Sequence, residues 1–199
     1  MKKMYLNHFL LLAILSGLLM ISCSKKSDSD PAPDTSFQGK KYVIAQGAHE
    51  TTNGLVLKTK TVLKFKALFD SSAIYTTVDS TNQTDTNKLY GLSDCGTDHE
   101  TNSARFGWRW VNHHLEIMAY WYVNGVRPEP IRVDTVALNT VNTYSIAFDS
   151  DKYVFTVNDT NVVEVPKSCN YKGYRYQLYP YFGGNETAPH EIRIWIQEL

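Results

Sequence analysis

Five side chains between residues 105 and 122 have the chemistry to bind an acidic ligand. Arg105 and Arg109 carry guanidinium groups, which bind carboxylates through two parallel hydrogen bonds. Tyr120 and Tyr122 offer flat apolar rings with a polar edge, and Glu116 adds a carboxylate. Tyrosine rings can support sugar rings, so these residue types favour a glycan-binding surface if the chain brings them to one side.

The residues around these side chains alternate between apolar and polar types. The alternation runs through residues 104–110 and 115–122, and a period of two is typical of strands with one buried face. Asparagine favours the first position of a two-residue hairpin turn, so residues 112–113 are predicted to join the strands. The resulting register pairs Trp110 with Leu115, Trp108 with Ile117, Phe106 with Ala119, Ala104 with Trp121, Arg109 with Glu116, Gly107 with Met118 and Arg105 with Tyr120. A shift of one residue would mix the faces, so the register is well specified.

Two interpretations of the polar face remain open. In the first, the face binds a glycan through Arg105, Arg109, Glu116, Tyr120, Tyr122 and Arg127. Arg105 and Arg109 are four residues apart on one strand, so they would lie about 13 Å apart, a length that covers several sugar subsites. In the second interpretation, Arg109 pairs with Glu116 as an ordinary cross-strand partner, and Arg105 stacks on the tyrosine opposite.

Catalysis on the same face is a narrower hypothesis. A lyase that acts on uronic acids neutralises the substrate carboxylate, removes the adjacent proton and protonates the leaving oxygen. The candidates for these roles are Arg105, Tyr120, His114 and Arg109. A two-carboxylate hydrolase is less favoured because Glu116 is the lone acid of the face, and the chain has no GxSxG motif.

Metal binding is predicted only as a minor alternative, and no cofactor is expected. The chain has neither a CxxC pair nor a zinc-type spacing of cysteine and histidine. Residues 94–100, DCGTDHE, hold three acidic groups and are a candidate for a calcium ion, but a solvated turn is the favoured interpretation. His49, His99 and His190 lie in loop-like contexts, where exposure to solvent is expected.

Short strand-like segments separated by turns continue along the chain. Residues 61–70, 143–148, 153–157, 162–165 and 191–197 have the period or the β-branched and aromatic content of strands. No long window has a helical period. About ten short strands predict an all-β fold, an antiparallel two-sheet β-sandwich.

Two connections carry signals of their own. Asn124-Gly125 is a strong hairpin signal, and Pro128 and Pro130 then restrict the returning segment to a sheet edge. Residues 79–87, DSTNQTDTN, are polar and of low complexity, which predicts a mobile connection.

The start of the chain indicates export. Lys2 and Lys3 precede an apolar run that is too short to span a bilayer comfortably, so residues 1–22 are predicted to be a signal peptide. The run ends in Met20-Ile21-Ser22-Cys23, which resembles the lipobox of bacterial lipoproteins of the Bacteroidetes type. The resemblance implies that Cys23 becomes the lipidated first residue, anchored in the outer membrane with the protein on the periplasmic or cell-surface side.

The remaining chain divides into a tether and one domain. Residues 23–36 contain no large apolar side chain and are predicted to be a disordered tether. Residues 37–199 have the size and apolar content of a single domain, expected to be a monomer. The chain has 20 basic and 20 acidic residues, and removal of Lys2 and Lys3 leaves 18 against 20. This balance lacks the positive field that nucleic-acid binding needs.

Cys95 and Cys169 remain as an even pair once Cys23 is lipidated. In an oxidising compartment, such a pair predicts a disulfide between the loop before the central hairpin and the loop after Val165. Two buried free thiols are the alternative.

Three segments resemble one family of β-sandwiches. Residues 143–165, TYSIAFDSDKYVFTVNDTNVVEV, look like the strand run of concanavalin-like jelly rolls, a superfamily that includes lectins and polysaccharide lyases. The segments ARFGWRW and YPYFGGNETAPHEIRIWI are similar to the arginine-rich central strand and the aromatic-Gly-Gly loop of alginate- and glucuronan-type lyases. The resemblance implies a concave sheet that faces a sugar, although fold alone does not give function.

The sequence therefore leaves three hypotheses for the function. The leading hypothesis is a membrane-anchored lipoprotein whose jelly roll binds a glycan without catalysis. A polysaccharide lyase acting on uronic-acid polymers at the same face is the alternative, and a structural envelope lipoprotein without a ligand is the third.

Overall fold

The computed structural model describes residues 37–199. The predicted signal peptide, the tether and the lipidation site Cys23 lie outside these residues. Within the described part, no helix combines the length and the apolar character needed to cross a membrane.

Twelve strands and two short 3₁₀ helices form the regular structure of residues 37–199. The strands are β1 (Lys40–Ile44), β2 (Leu57–Lys58), β3 (Val62–Phe69), β4 (Asn87–Ser93), β5 (Ser103–Val111), β6 (His114–Tyr122), β7 (Ile131–Val136), β8 (Asn142–Phe148), β9 (Lys152–Val157), β10 (Asn161–Pro166), β11 (Arg175–Leu178) and β12 (Ile192–Glu198). The 3₁₀ helices are Ser71–Ala73 and Ser80–Thr84. The sequence pattern did not single out β2 or β4. Six of the seven residues of β4 are buried, so this strand lacks the alternation that marks a half-exposed one.

The strands form two antiparallel six-stranded sheets. The first has the order β1-β12-β3-β8-β9-β10, and the second has the order β2-β11-β4-β5-β6-β7. Some neighbouring strands, such as β11 and β4, are distant in sequence, because the chain crosses repeatedly between the two sheets. This architecture confirms the predicted all-β sandwich.

Aromatic side chains from both sheets fill the space between them. Phe106 of the second sheet packs edge-on against Phe65, Tyr144 and Phe155 of the first, with ring centroids 6.0, 5.2 and 5.2 Å apart. Trp108 is fully buried in the same core. Such tilted aromatic pairs stabilise the fold by more than their buried area alone predicts.

The central hairpin has the predicted register at every pair. Trp108 lies opposite Ile117, and Arg105 lies opposite Tyr120, which places the tryptophan in the core and the arginine on the outer face of the second sheet. Asn112 and His113 form the turn with φ values of 52° and 63°. Left-handed values at both positions match the twist of the flanking strands.

The next connection also follows the prediction. Asn124 and Gly125 form a tight turn with φ values of 50° and 79°, closed by the bridge between Val123 and Val126. The chain then pairs again only as β7, which begins after the two prolines and lies at the edge of the second sheet.

The polar segment of residues 79–87 forms a fixed turn where a mobile connection was predicted. Asp79 caps the helix Ser80–Thr84 by accepting a hydrogen bond from the backbone N–H of Thr81 at 2.9 Å. The Glu186 carboxylate accepts hydrogen bonds from the N–H groups of Val78 and Asp79, both at 2.8 Å. Local composition does not reveal an anchor that lies about a hundred residues away along the chain.

A buried ionic cluster joins the second sheet to the segment after β10. Asp94 follows β4 directly, and its carboxylate accepts a hydrogen bond from Arg175 Nε at 2.9 Å and lies 3.3 Å from Lys167 Nζ. All three side chains are fully shielded from solvent. The Tyr153 hydroxyl donates a further hydrogen bond to Asp94 at 3.1 Å. Two cations share one carboxylate here, so the anion is essential to their burial.

The disulfide lies beside this cluster. Cys95 is bonded to Cys169, with the two Cα atoms 5.9 Å apart and a sequence separation of 74. This confirms the predicted bridge and replaces the alternative of free thiols. A link over so long a loop restricts the unfolded chain and contributes about 2–4 kcal/mol to stability.

Removal of the Asp94 carboxylate should strongly destabilise the domain. Asp94→Ala leaves Arg175 and Lys167 buried without a counter-charge, and we expect the free energy of unfolding to fall by about 3–5 kcal/mol in urea titrations. The matched control is Asp151→Ala, at an exposed carboxylate, which should change it by less than about 0.5 kcal/mol. Equal losses of unfolding free energy in the two variants would contradict the role of Asp94 as the buried counter-charge.

Candidate functional site

Three cations surround one tyrosine ring on the outer face of the second sheet. Lys88 Nζ lies 5.0 Å from the centroid of the Tyr120 ring. The guanidinium carbons of Arg105 and Arg127 lie 5.2 and 5.8 Å from the same centroid. We call this group, Lys88, Arg105, Arg127 and Tyr120, the cation cluster. Each contact is a cation–π interaction with the face of the ring.

Arg105 is the most buried cation of the cluster. Its exposure is 8%, and its Nε atom is buried without a hydrogen-bond partner. Gly91 on β4 makes this position possible, because a Cβ atom there would lie 2.2 Å from the Cβ of Arg105. Burial lowers the pKa of Arg105, and the nearby phenols of Tyr120 and Tyr122 act in the opposite direction. Within residues 37–199, none of the three cations of the cluster forms an ion pair with a carboxylate.

Lys88 is positioned by an irregular part of the second sheet. It lies opposite Gly107 of β5, and its backbone exchanges hydrogen bonds of 2.8 and 3.0 Å with Tyr181. Its ammonium therefore stands between two rings, 5.0 Å from the centroid of Tyr120 and 5.5 Å from that of Tyr181. Burial, and then the charges of Arg105 and Arg127, lower the pKa of Lys88 to about 8, while Asp85 acts in the opposite direction.

Two adjoining cavities open onto the cation cluster. They have volumes of about 280 and 220 Å³, and both are lined by Lys88, Tyr120 and Gly184. Arg105, Tyr122, Tyr181, His99 and Glu100 line the first, and Arg127 and Asp85 line the second. The three cations therefore outnumber the two carboxylates. We call the two together the cationic groove. The groove combines positive charge with aromatic surface, which is the chemistry of a site for acidic sugars.

Of the predicted ligand-binding residues, four line the groove: Arg105, Tyr120, Tyr122 and Arg127. The face is more enclosed than the solvated sheet expected from the sequence, because Arg105, Met118 and Tyr120 are all buried. Loop residues such as Tyr181 and Gly184 wall the groove, and no neighbouring sheet covers it within the described part of the chain.

The other two predicted residues pair with each other. Arg109 Nε donates to Glu116 at 2.7 Å, and Arg132 Nη1 donates to the second oxygen of the same carboxylate at 3.0 Å. Burial would raise the pKa of Glu116, but hydrogen bonds from the two arginines outweigh it and lower the pKa. Arg109 also donates to the Thr84 carbonyl at 2.9 Å. The structure thus gives Arg109 and Glu116 the cross-strand pairing of the second interpretation and does not place them in the groove. The stacking of Arg105 on Tyr120 also agrees with that interpretation.

His114 is also separated from the predicted catalytic group. It is exposed at the start of β6, opposite Val111, whereas Tyr120 lies six residues further along the strand. The proposed combination of Arg105, Tyr120, His114 and Arg109 is therefore not assembled. The hairpin register is correct, but residues at its two ends are too far apart to act on one bond.

Five charged or aromatic residues of the groove were not predicted from the sequence: Lys88, His99, Tyr181, Asp85 and Glu100. His99, expected to be exposed, is half-buried and is held by Tyr176, whose hydroxyl accepts the His99 backbone N–H at 2.6 Å. Burial, and then the charge of Arg105, lower the pKa of His99. Tyr181 lies in the aromatic-Gly-Gly segment that carried the family resemblance, so that motif was the available signal.

The acidic segment of residues 94–100 has the features of a structural turn. Asp94 is bound by Arg175 and Lys167, and the neighbouring Cys95 is in the disulfide. Asp98 is exposed, and its carboxylate accepts a hydrogen bond from the Glu100 backbone at 2.8 Å. The favoured interpretation as a turn agrees with these contacts.

A side chain at Gly91 should disturb the groove from below. In Gly91→Ala, the new Cβ would also lie 2.3 Å from the Ala104 carbonyl oxygen, so β4 and β5 must separate, and we expect a loss of about 1–3 kcal/mol of unfolding free energy. Gly54→Ala is the control, because apart from its chain neighbours no atom of residues 37–199 lies within 4 Å of a Cβ there. A neutral effect of Gly91→Ala in thermal or urea unfolding would refute this close approach.

Comparison with known proteins identifies the fold. No protein family model and no curated protein sequence matches the chain. Alginate lyase AlyC3 superimposes over 80% of this chain and 74% of its own, with 10% identity and a TM-score of 0.53. The Crh5 transglycosylase in complex with NAG covers 79% of this chain and 70% of its own, with 10% identity and a TM-score of 0.53.

The chain is shorter than some of these proteins. It spans 62% of an alginate lyase from Pseudomonas aeruginosa, with 13% identity, 69% of this chain covered and a TM-score of 0.46. At such identities the likeness concerns the fold alone. The protein has the two-sheet sandwich of the concanavalin-like jelly rolls.

Proposed function

We propose that the protein binds an acidic polysaccharide in the cationic groove. The observation that carries this proposal is the buried guanidinium of Arg105, which has an unpartnered Nε and no carboxylate within ion-pair distance among the described residues. A buried charge without a counter-charge is costly. An anionic ligand would supply the missing partner and gain from a donor that is already desolvated and fixed in place.

The aromatic surface of the groove supports a sugar as the carrier of that anion. Tyr120 and Tyr122 lie with ring centroids 6.0 Å apart, and Tyr181 forms part of the same wall. Tyrosine offers an apolar face and a polar edge, as a sugar ring does. The names of the similar structures, an alginate lyase and a transglycosylase bound to NAG, agree with a carbohydrate ligand.

Loss of the Arg105 charge should abolish most of the binding. For Arg105→Met, we expect the Kd for alginate to rise at least about tenfold, because a desolvated charge pair contributes about 2–5 kcal/mol. Affinity electrophoresis in gels with alginate, and with a neutral glucan for comparison, measures this change. Lys41→Met, which removes an exposed cation of the first sheet, is the matched control and should bind normally. Equal retention of Arg105→Met and the unmodified protein would exclude the groove as the site.

Binding should weaken as the pH rises from 7 to 9. Lys88 has a pKa of about 8, so it is charged below that pH and loses its charge above it. The attraction for an anionic glycan therefore decreases through this window, and isothermal titration at several pH values measures the decrease. In Lys88→Met, affinity should be lower at pH 7 and nearly independent of pH up to 9. A pH dependence that persists in this variant would assign the titration to another group.

Lyase activity at the same groove is the second candidate, and Lys88 is the observation that favours it. An amine with a pKa of about 8 can accept a proton near neutral pH, and it lies beside Arg105, which could neutralise a uronate carboxylate. Burial raises the pKa of Tyr120 to about 12, so its phenol stays protonated and suits a proton donor. In the same assay mixtures, absorbance from an unsaturated uronate would indicate a lyase, retention without it a binding protein, and neither result a structural lipoprotein.

We also propose that the protein is anchored in the outer membrane through lipid on Cys23. A lipid anchor next to a polar tether would hold the groove near the membrane while leaving it accessible to a polymer. Cells fed an alkyne-tagged palmitate should label the unmodified protein, and Cys23→Ser should abolish the label and release the protein from the membrane fraction. Cys95→Ser is the control and should remain labelled. Membrane retention of an unlabelled Cys23→Ser protein would contradict lipid anchoring.

A further inference from the structure

A third cavity, of about 610 Å³, lies at the β11 end of the same sheet. Its lining includes Leu55, Asp98, His99, Tyr171, Tyr174 and Tyr176. We call it the tyrosine cleft. Leu55 and Tyr174 are 78% and 65% exposed, so large apolar surfaces stand open to solvent at its rim. Exposed apolar side chains grouped around a cavity mark an interaction site more often than single ones do.

The aromatic walls of the cleft are held in place. The Tyr171 hydroxyl donates to the Tyr174 carbonyl at 3.2 Å, and a Cβ at Gly173 would lie only 2.3 Å from that hydroxyl. Across the cleft, the Tyr176 backbone N–H donates to the Ser93 hydroxyl at 2.9 Å. Rings fixed before binding lose little conformational entropy when a ligand arrives.

The disulfide joins the two walls. Cys95 precedes Gly96, Thr97 and Asp98 of one wall, and Cys169 precedes the segment that carries Tyr171 and Tyr174 of the other. The buried pair of Asp94 and Arg175 adds a second link just below. The width of the cleft is therefore set by covalent and ionic contacts.

The cleft lies next to the cationic groove, and His99 lines both cavities. The loop that carries His99 covers the sheet between them, because the hydroxyl of the buried Ser103 donates to the His99 carbonyl at 2.6 Å. From β11 to β6 the distance is three strand spacings, about 14 Å, so one extended ligand that passes over this loop can reach both cavities.

The two cavities differ in charge. Among residues 37–199, no lysine or arginine lines the cleft, whereas the exposed carboxylate of Asp98 does. A second acidic sugar would be repelled there, whereas a neutral sugar could place its apolar face on Tyr174 and donate a hydroxyl hydrogen bond to Asp98. The groove, by contrast, contains three cations, Lys88, Arg105 and Arg127, against two carboxylates, Asp85 and Glu100.

From this contrast we infer that the tyrosine cleft binds a neutral sugar unit of the same polymer whose acidic unit occupies the cationic groove. The inference rests on the proposed function and narrows its ligand class. The preferred polymer contains acidic and neutral sugars as neighbours, and polymers of uronic acid alone fit less well because they place a carboxylate beside Asp98.

Oligosaccharides of matched length provide the test. Hyaluronan and unsulfated chondroitin alternate a uronate with a neutral N-acetylhexosamine, whereas polymannuronate and polyguluronate carry a carboxylate on every unit. We expect the Kd of the intact protein for the alternating oligosaccharides to be at least about fivefold lower, as one aromatic contact would provide. Equal binding, or tighter binding of the homopolymers, would overturn the inference.

Variants separate the inference from the proposed function. Tyr174→Ala should raise the Kd for the alternating oligosaccharides about fivefold and change that for the homopolymers by less than twofold. Val162→Ala, at an exposed apolar position of the first sheet, is the control and should bind like the intact protein. Arg105→Met should lose both classes.

The pattern of losses identifies which idea fails. An unchanged Kd in Tyr174→Ala together with a loss in Arg105→Met would overturn the cleft and leave the groove standing. Equal losses of both ligand classes in Tyr174→Ala would also overturn it, because the residue would then not select neutral units. If Arg105→Met binds normally, or if the intact protein binds none of the four oligosaccharides, the proposed function fails and the inference fails with it.

Discussion

Consecutive side chains of a strand point to opposite faces of its sheet, and the binding surface depends on this constraint. In the central hairpin, Trp108 and Trp121 are committed to the core, so Arg105 and Tyr120 must emerge together on the outer face. The close approach of Gly91 then lets Arg105 lie deep in that face. The packing of the core therefore also determines the position of the Arg105 guanidinium.

The arginines of the second sheet show how a counter-charge separates structural from functional roles. Arg175 is fully buried and shares Asp94 with Lys167, and Arg109 is half-buried and shares Glu116 with another arginine. Arg105 is nearly as buried as Arg175, yet its neighbours are Tyr120 and other cations. The first two arginines have counter-charges within the fold, whereas Arg105 has none among residues 37–199, which supports its proposed role in binding an anion.

The sequence predicts the second sheet best where local pattern decides the structure. Alternation and turn chemistry were sufficient for the register of β5 and β6, and the parity of the cysteines was sufficient for the disulfide. Lys88 was missed because β4 is buried on both faces and shows no period of two. His99 was missed because its partner, Tyr176, is 77 residues away in the chain. Arg109 and Glu116 were correctly predicted as neighbours, but the sequence could not show whether their charges pair with each other or remain available to a ligand.

The bond between Cys95 and Cys169 requires an oxidising compartment. Thiols stay reduced in the cytosol and oxidise outside it. If the protein is exported as we propose, the two loops that carry Gly96 and Tyr171 would be tied together only after translocation. A reduced chain would lack this covalent link, so the proposed contact between a polymer and the tyrosine cleft would depend on oxidation of the two cysteines.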